Sequence, residues 1–184
     1  MVNLCVFASG NGSNFEAIAN GQYRNINVKL LVCDNPNAYV IKRASKFNIP
    51  CLIVNMKDFS SKKAYEEYIL SHLLEYKIDY ICLAGYMKII SNVLLKAYEN
   101  KIINIHPSLL PSFKGAHGIL DAYNYGVKVF GVTVHYVDNG VDTGKIIDQE
   151  AFHIDDETLE EVEEKIHNIE HKLYVKVIKK LWEV

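Results

Sequence analysis

Short apolar runs alternate with helical stretches along the first half of the chain, and this alternation limits the possible folds most strongly. The strand candidates are Val2–Ala8, Val28–Cys33, Cys51–Asn55, Tyr80–Ala84 and Ile102–Ile105. The helix candidates between them are Ser13–Ala19, Ala38–Phe47, Lys62–Tyr76 and Asn92–Tyr98. Nearly continuous apolar strands suit a parallel sheet that is covered by helices on both faces. We therefore predict a doubly wound α/β fold with right-handed crossovers.

The pattern changes after Ile105, where prolines and glycines interrupt the alternation. Val129–Val137 and Lys145–Ile154 have the composition of two further strands, and the loop Asp138–Gly144 joins them. This short connection predicts an antiparallel extension of the sheet. A long amphipathic helix is predicted from about Glu157 to Trp182, with acids near its start and lysines near its end, as the helix dipole favours.

Length and charge limit the class of protein. A chain of 184 residues fits one domain and can bury enough surface to fold without a disulfide or a metal. Lys plus Arg is 20 and Asp plus Glu is 22, so the net charge of −2 argues against bulk binding of nucleic acid. No apolar run approaches the roughly 20 residues that cross a bilayer, and the first residues show no basic leader. The cysteines lie in apolar runs without a CxxC pair, which predicts buried thiols in a reducing compartment.

A glycine-rich segment, Ser9–Asn14, connects the first strand candidate to the first helix candidate. Its glycines allow the backbone to approach an anion, while Ser13 and Asn14 can cap a helix whose free N–H groups attract phosphate. A capped turn without a ligand is the alternative, but ligands of α/β sheets bind at this carboxyl edge.

Two nucleotide-binding motifs compete with a simple phosphate site. Gly10, Gly12 and Asp34 imitate part of a dinucleotide fingerprint, but Phe15 stands where the third glycine belongs. A Walker A motif would need a Gly-Lys-Ser/Thr sequence, which does not follow here. A phosphomonoester therefore fits the segment better than either nucleotide.

Asn104 and His106 lie at the end of the fifth strand candidate, and Pro107 follows them. Residues two apart on a strand project to the same face, so the amide and the imidazole should reach the ligand edge together. An amide donor and an imidazole that titrates near neutral pH suit the stabilisation of an oxyanion and the movement of a proton. A structural histidine is the alternative for such a pair taken alone.

The loop Asp138–Gly144 contains Asp142 between two glycines. Taken alone, it predicts a solvated hairpin turn. The functional alternative is a flexible loop that brings the carboxylate to His106, because a nearby carboxylate raises the pKa of a histidine and orients its ring. His135 lies within a strand pattern and is interpreted as structural, whereas His117 is left unassigned.

Three segments together resemble the folate-dependent formyltransferase family, namely Ala8–Asn14, Asn104–Pro111 and Asp142–Gly144. The similarity runs nearly end to end in the same order, and the first segment narrows it to members that formylate glycinamide ribonucleotide. The resemblance implies transfer of the formyl group of N10-formyltetrahydrofolate to the glycinamide amine in purine biosynthesis, without a metal. It also implies that Asn104 holds the oxyanion, that His106 is kept protonated by Asp142 and donates a proton, and that Asp142 orders a water.

The resemblance also assigns binding residues. Gly12, Ser13 and Asn14 match the phosphate loop of the family, and His167 and Glu170 match its contacts with ribose and glycinamide. The formyl donor is expected to contact a set of residues from both halves of the chain: Lys62, Met87, Lys88, Ile89, Ile90, Asn104, Asp138, Asn139, Gly140, Val141 and Asp142. Relatives often carry arginine at positions 62 and 88, and lysine keeps the charge but loses the bidentate contact.

Other enzyme classes remain as alternatives. A formyltetrahydrofolate deformylase uses the same polar trio (Asn104, His106 and Asp142) with water as acceptor, but its usual N-terminal regulatory domain is expected to be absent because the first strand candidate begins at Val2. Transferases that act on methionyl-tRNA or sugar nucleotides carry added domains and lack this glycine-rich segment. A nicotinamide-dependent oxidoreductase would leave the polar trio without a role.

We expect a single domain, residues 1–184, whose first half (1–100) binds phosphate and whose second half (101–184) carries catalysis and folate binding. The partners are expected to be small molecules, with no nucleic acid and no membrane. The chain is expected to act in the cytoplasm as a monomer or a homodimer.

Overall fold

The computed structural model describes residues 1–183, and a seven-stranded sheet forms its centre. The strands are β1 (Val2–Ala8), β2 (Ile26–Cys33), β3 (Cys51–Ile53), β4 (Tyr80–Leu83), β5 (Ile102–His106), β6 (Val129–Tyr136) and β7 (Ile146–His153). The helices are α1 (Ser13–Ala19), α2 (Val40–Lys46), α3 (Lys62–Glu75), α4 (Asn92–Ala97), α5 (Gly118–Tyr125) and α6 (Leu159–Trp182), with a 3-10 turn at Met56–Asp58. The strand order is β3-β2-β1-β4-β5-β6-β7.

The predicted fold class is confirmed. Strands β1 to β5 pair in parallel, while β6 and β7 extend the sheet in antiparallel fashion. Helices cover both faces, as strand β1 shows directly. Leu4, Val6 and Ala8 pack on one side of the sheet, and Cys5 and Phe7 pack on the other, all fully buried. Burial on both sides explains why this strand is apolar at every one of these positions.

Helices α1, α2, α5 and α6 contribute to the core on the face of Leu4, while α3 and α4 contribute to the core on the face of Phe7. The cysteines are free thiols, and burial raises the pKa of Cys51 to about 12, so this thiol is protonated at neutral pH. Within residues 1–183, no helix combines the length and the apolarity that crossing a bilayer requires.

Several predicted boundaries shift. Strand β2 begins at Ile26, earlier than predicted, and helix α2 covers only Val40–Lys46. The sequence predicts no helix at α5, because this element is short and lies among glycines that suggest a loop. Gly126, in the left-handed conformation at φ 86°, ends the helix, and its N–H donates hydrogen bonds to the carbonyl oxygens of Ala122 and Tyr123.

Helix α6 begins at Leu159 because Thr158 caps it. The Thr158 side chain accepts a hydrogen bond from the Glu161 amide at 3.3 Å, and the Glu161 carboxylate accepts one from the Thr158 amide at 2.7 Å. This reciprocal capping box satisfies two otherwise free amides. The cap fixes where the helix starts, and the helix in turn carries His167 and Glu170 to the carboxyl edge of the sheet, where the loops after β1, β4 and β5 meet.

Candidate active site

A cavity of about 610 Å³ opens at the carboxyl edge of the parallel strands. Its walls come from residues 9–14 after β1, residues 83–90 at the end of β4, and residues 104–107 at the end of β5. Residues 115–116, His135 of β6, the loop after β6 and two residues of α6 complete the lining. Ligands of α/β folds bind at this edge, so the position agrees with the expectation from the sequence.

The glycine loop (Ser9–Asn14) forms one end of the cavity. Gly12 is the N-cap residue of α1 and adopts a left-handed conformation with φ 79°. Ser13 and Asn14 do not cap the helix as predicted, because both already lie inside it. The N-cap residue is Gly12, and no side-chain hydrogen bond caps the helix. The first amides of α1 are therefore left without a side-chain cap. The Asn14 Oδ1 atom is buried without a hydrogen-bond partner among the described residues.

The polar trio also lines the cavity. Nδ1 of His106 lies 3.5 Å from Oδ2 of Asp142. Asn104 reaches the same carboxylate through His135, whose Nε2 lies 3.2 Å from the Asn104 amide nitrogen and 3.6 Å from Asp142 Oδ1. His135 is thus a member of this constellation that sequence reasoning treated as structural.

His106 is held by the loop that follows it. Its Nε2 lies 2.8 Å from the carbonyl oxygen of Phe113, which also accepts a hydrogen bond from the Ser108 hydroxyl at 3.2 Å. Since a carbonyl can only accept, Nε2 carries a hydrogen, and Nδ1 is the atom that gains or loses a proton. The exchangeable proton therefore lies on the side of Asp142.

Asp142 lies in a strained position and is firmly hydrogen-bonded. Its φ of 53° is in the left-handed region, where residues other than glycine are uncommon. The amide of Gly115 donates a hydrogen bond to Asp142 Oδ2 at 2.8 Å. Burial raises the pKa of this carboxyl, but the contacts with His135, the Gly115 amide and His106 outweigh that effect and lower it below its ordinary value. Asp142 is therefore an anion at neutral pH.

A wall of the cavity, residues 86–90, has no regular secondary structure and is held from behind by α3. The Tyr65 and Tyr86 hydroxyls lie 2.7 Å apart. The buried Glu66 carboxylate accepts hydrogen bonds from the amide and hydroxyl of Ser91 at 2.8 and 2.5 Å. These contacts fix both ends of the wall.

The inner surface of this wall is apolar and open. Met87 is 70% exposed and Ile89 is 57% exposed, although both line the cavity. Lys88 also lines it, and its Nζ lies 3.7 Å from Asp34, whose side chain is almost fully buried. Exposed apolar side chains in a concave site favour an apolar or aromatic ligand.

His167 and Glu170 reach the cavity from α6. Nδ1 of His167 lies 2.9 Å from Oε2 of Glu170, whose side chain is 6% exposed. The hydrogen bond to Glu170 raises the pKa of His167, and burial opposes this only in part. A buried carboxylate and an imidazole therefore lie side by side in the wall of the cavity.

The structure separates two of the predicted residues from the rest. Lys62 begins α3 and Asn139 lies in the exposed loop after β6, and neither lines the cavity. His117 precedes α5, where its carbonyl accepts the Asp121 amide at 2.8 Å. Across residues 1–183, no group of three or more His, Cys, Asp or Glu side chains could hold a metal ion.

The sequence contained only a weak signal for His135. It is the partner of Asn104 in the antiparallel register between β5 and β6, so the two side chains meet only if that register is known. Antiparallel pairing places directly opposite side chains on the same face. A histidine in a strand pattern gives no indication of this by itself.

Comparison with known proteins places this geometry in a family. The profile described as Formyl transferase matches residues 2–178. A Phosphoribosylglycinamide formyltransferase of Bacillus subtilis is 51% identical, over 98% of this chain and 95% of its own length. The crystal structure of glycinamide ribonucleotide transformylase 1 from Geobacillus kaustophilus is 51% identical with a TM-score of 0.95, and 98% of each chain is covered.

A relative of different architecture agrees. A Trifunctional purine biosynthetic protein adenosine-3 of Drosophila melanogaster is 37% identical over 91% of this chain, which spans 13% of that longer protein. The family profile matches nearly the whole chain, and full-length relatives are highly identical to it. The chain therefore belongs to the formyl transferase family.

Proposed function

We propose that this protein transfers the formyl group of N10-formyltetrahydrofolate to the amine of 5'-phosphoribosylglycinamide in purine biosynthesis. The relatives support this reaction, because they carry the names of this transferase and of a purine biosynthetic protein. The observation that carries the proposal is a single cavity that holds the glycine loop, an apolar wall and the polar trio together. Two small substrates can meet only in such a shared space.

The sugar-phosphate end of the ribonucleotide fits the glycine loop. The first amides of α1 have no side-chain cap, and Gly12, Ser13 and Asn14 line the cavity. Backbone N–H groups at the start of a helix favour an anion. Glu170 supplies a buried acceptor for hydroxyl or amine hydrogens, and His167, whose pKa Glu170 raises, lies beside it.

The folate end fits the opposite part of the cavity. The exposed side chains of Met87 and Ile89 offer an apolar surface that an aromatic ring would cover. Asp138, Gly140 and Val141 of the loop after β6 line the same cavity. Lys88, whose Nζ lies 3.7 Å from Asp34, supplies an ammonium group at this wall that can donate to an acidic group of the donor. Lys62 and Asn139 are not included in this proposal, because they do not line the cavity.

The polar trio lies where the two ends meet. Attack of the glycinamide amine on the formyl carbon places negative charge on the formyl oxygen. Asn104 has two amide hydrogens, of which one is directed to His135, and the other is available for that oxygen. Donors that are positioned before the reaction stabilise such a charge without reorganisation.

His106 and Asp142 manage the proton. His106 with a proton on Nδ1 is a cationic donor beside the developing charge, and the Asp142 carboxylate lies 3.5 Å from that nitrogen. When the carbon–nitrogen bond to the folate breaks, the leaving nitrogen needs a proton and the attacking amine must lose one. Asp142, with an ordered water, provides the path for that exchange.

One assay tests this proposal. The protein is mixed with N10-formyltetrahydrofolate, with and without 5'-phosphoribosylglycinamide, and the folate absorbance is followed. Turnover only in the presence of the ribonucleotide is expected. Turnover without it would identify a deformylase instead, and absence of turnover together with nicotinamide binding would indicate an oxidoreductase.

We further infer a single domain that acts on small molecules in the cytoplasm, as a monomer or a homodimer without nucleic-acid or membrane partners. Residues 1–100 supply the phosphate loop and residues 101–184 supply the trio. Each half also contributes to the other substrate. The wall at residues 86–90 belongs to the first half but fits the folate, and the α6 pair, His167 and Glu170, belongs to the second half but fits the sugar-phosphate end. Light scattering of the purified protein measures the oligomeric state.

A further inference from the structure

An arginine behind the glycine loop directs its guanidinium to the loop and not into the cavity. Arg43 lies in α2, and its side chain is 17% exposed. Its Nε donates to the carbonyl oxygen of Asn11 at 2.9 Å, and its Nη2 donates to Asn11 Oδ1 at 2.9 Å. The remaining terminal nitrogen pairs with the Glu16 carboxylate. The guanidinium thus holds one loop residue by both its main chain and its side chain.

The same helix holds the neighbours of Asn11. The Val40 amide donates to the Gly10 carbonyl at 3.1 Å. The Val40 side chain packs so closely on Gly12 that an added Cβ would lie 2.3 Å from Val40 Cγ2. Three successive loop residues, 10–12, are therefore held by α2. All three line the cavity, whereas Arg43 lies outside the lining.

The charges show that this arrangement is not a simple electrostatic attraction for phosphate. Glu16 lies in the first turn of α1 and neutralises Arg43 locally. What remains is geometric, since a guanidinium fork can hold two acceptors in one fixed plane. A loop containing two glycines has high backbone freedom, and that freedom would be lost when a ligand binds. Fixing the loop in advance removes this loss.

We propose that Arg43 is a positioning residue for the sugar-phosphate end of the substrate, acting through Asn11. It shapes the backbone of the glycine loop before the substrate arrives and does not touch the substrate. This inference rests on the proposed function, which places the phosphate of the ribonucleotide at that loop. Arg43 is expected to affect the binding of one substrate only. Among the described residues, no hydrogen bond or ion pair joins Arg43 to the apolar wall or to the polar trio.

The test compares Michaelis constants for the two substrates in three variants. Arg43→Met removes the fork at similar length, Arg43→Lys keeps the charge but not the fork, and Lys46→Met removes an exposed charge from the same helix as a control. In Arg43→Met, we expect KM for 5'-phosphoribosylglycinamide to rise about tenfold, as loss of charge-assisted hydrogen bonds predicts. KM for the formyl donor and kcat at saturation should stay within about twofold.

Arg43→Lys distinguishes shape from charge. If Arg43 acts by geometry, this variant also raises KM for the ribonucleotide by several-fold, because one ammonium cannot hold both acceptors of Asn11. A Lys variant with the wild-type KM would overturn the inference, and it decides the question if Arg43→Met fails to fold. An equal rise of both KM values in Arg43→Met would also overturn it, since that is the mark of a general loss of structure.

A binding measurement separates this inference from the proposed function. Ribose 5-phosphate is titrated into the wild type, Arg43→Met, Asn11→Ala and the double variant by calorimetry. Action through Asn11 predicts that the double variant loses less affinity than the product of the two single losses. Independent, multiplicative losses would refute it. Wild-type protein without transferase activity would refute the proposed function, whereas an active wild type with unaffected Arg43 variants would refute only the role of Arg43.

Discussion

Nε2 of His135 lies 3.2 Å from the side-chain amide nitrogen of Asn104, across the antiparallel pair of strands β5 and β6. His135 is 2% exposed, and its Nδ1 lies 2.8 Å from the Tyr136 carbonyl oxygen. Because that carbonyl accepts a hydrogen from Nδ1, Nε2 is the ring atom left to accept from the Asn104 amide. The orientation of the Asn104 amide is therefore set by a histidine on the neighbouring strand.

Substitution of His135 tests this relationship. We expect His135→Phe to lower kcat about tenfold, because the Asn104 amide loses its acceptor and its second hydrogen is no longer directed at the formyl oxygen. His135→Gln, whose side-chain oxygen can still accept, should retain more activity. The measurement is kcat with both substrates saturating, alongside thermal unfolding. A folded Phe variant with full kcat would show that Asn104 needs no such support.

The pair of His106 and Asp142 is expected to carry most of the rate. His106→Ala and Asp142→Asn should each reduce kcat on the order of 100-fold or more, because each removes charge stabilisation from the site of the oxyanion. Circular dichroism of both variants should match the wild type. Near-normal turnover in either folded variant would rule out the mechanism.

Gly12 and Gly10 provide a matched pair for the shape of the glycine loop. Gly12→Ala combines a positive φ with a clash, since the added Cβ would lie 2.3 Å from Val40 Cγ2 and 2.9 Å from its Cα. We expect it to lower the free energy of unfolding by about 1–3 kcal/mol, as judged by urea denaturation. Gly10 has nothing within 4 Å of the corresponding position. Gly10→Ala should leave the unfolding free energy within about 0.5 kcal/mol of the wild type, and equal losses in both variants would contradict the packing of Val40.

His167 should titrate above the ordinary histidine pKa because Glu170 stabilises its charged form. A pKa that folding raises adds stability below the unfolded pKa, near 6.5, and this stability is lost as the pH rises through the folded value. Histidine NMR titration should show the raised pKa in the wild type and its loss in Glu170→Gln. Glu163→Gln should have a smaller effect, since Glu163 is the weakest of the contributing groups. An unchanged titration in Glu170→Gln would exclude the His167–Glu170 hydrogen bond as its cause.

Local patterns were sufficient for most of the elements. Strand β1 was predicted with its observed bounds, and α1 likewise, because the apolar run and the glycine turn between them are features of consecutive residues. Helix α5 was missed since its eight residues offer too few turns to show a periodic stripe. The capping of α1 by Ser13 or Asn14 was wrong, because the helix starts one residue after Gly12 and includes both.

The sequence by itself determined the parallel sheet, the carboxyl-edge position of the glycine loop, and the joint presentation of Asn104 and His106, since each depends on periodicity within a short segment. Only the tertiary structure decided that His135 aligns Asn104 and that Arg43 holds Asn11. Those pairs depend on strand register and on the packing of α2 against the loop after β1. Side chains far apart along the chain come together through the geometry of the whole sheet, and no local pattern of residues encodes their proximity in space.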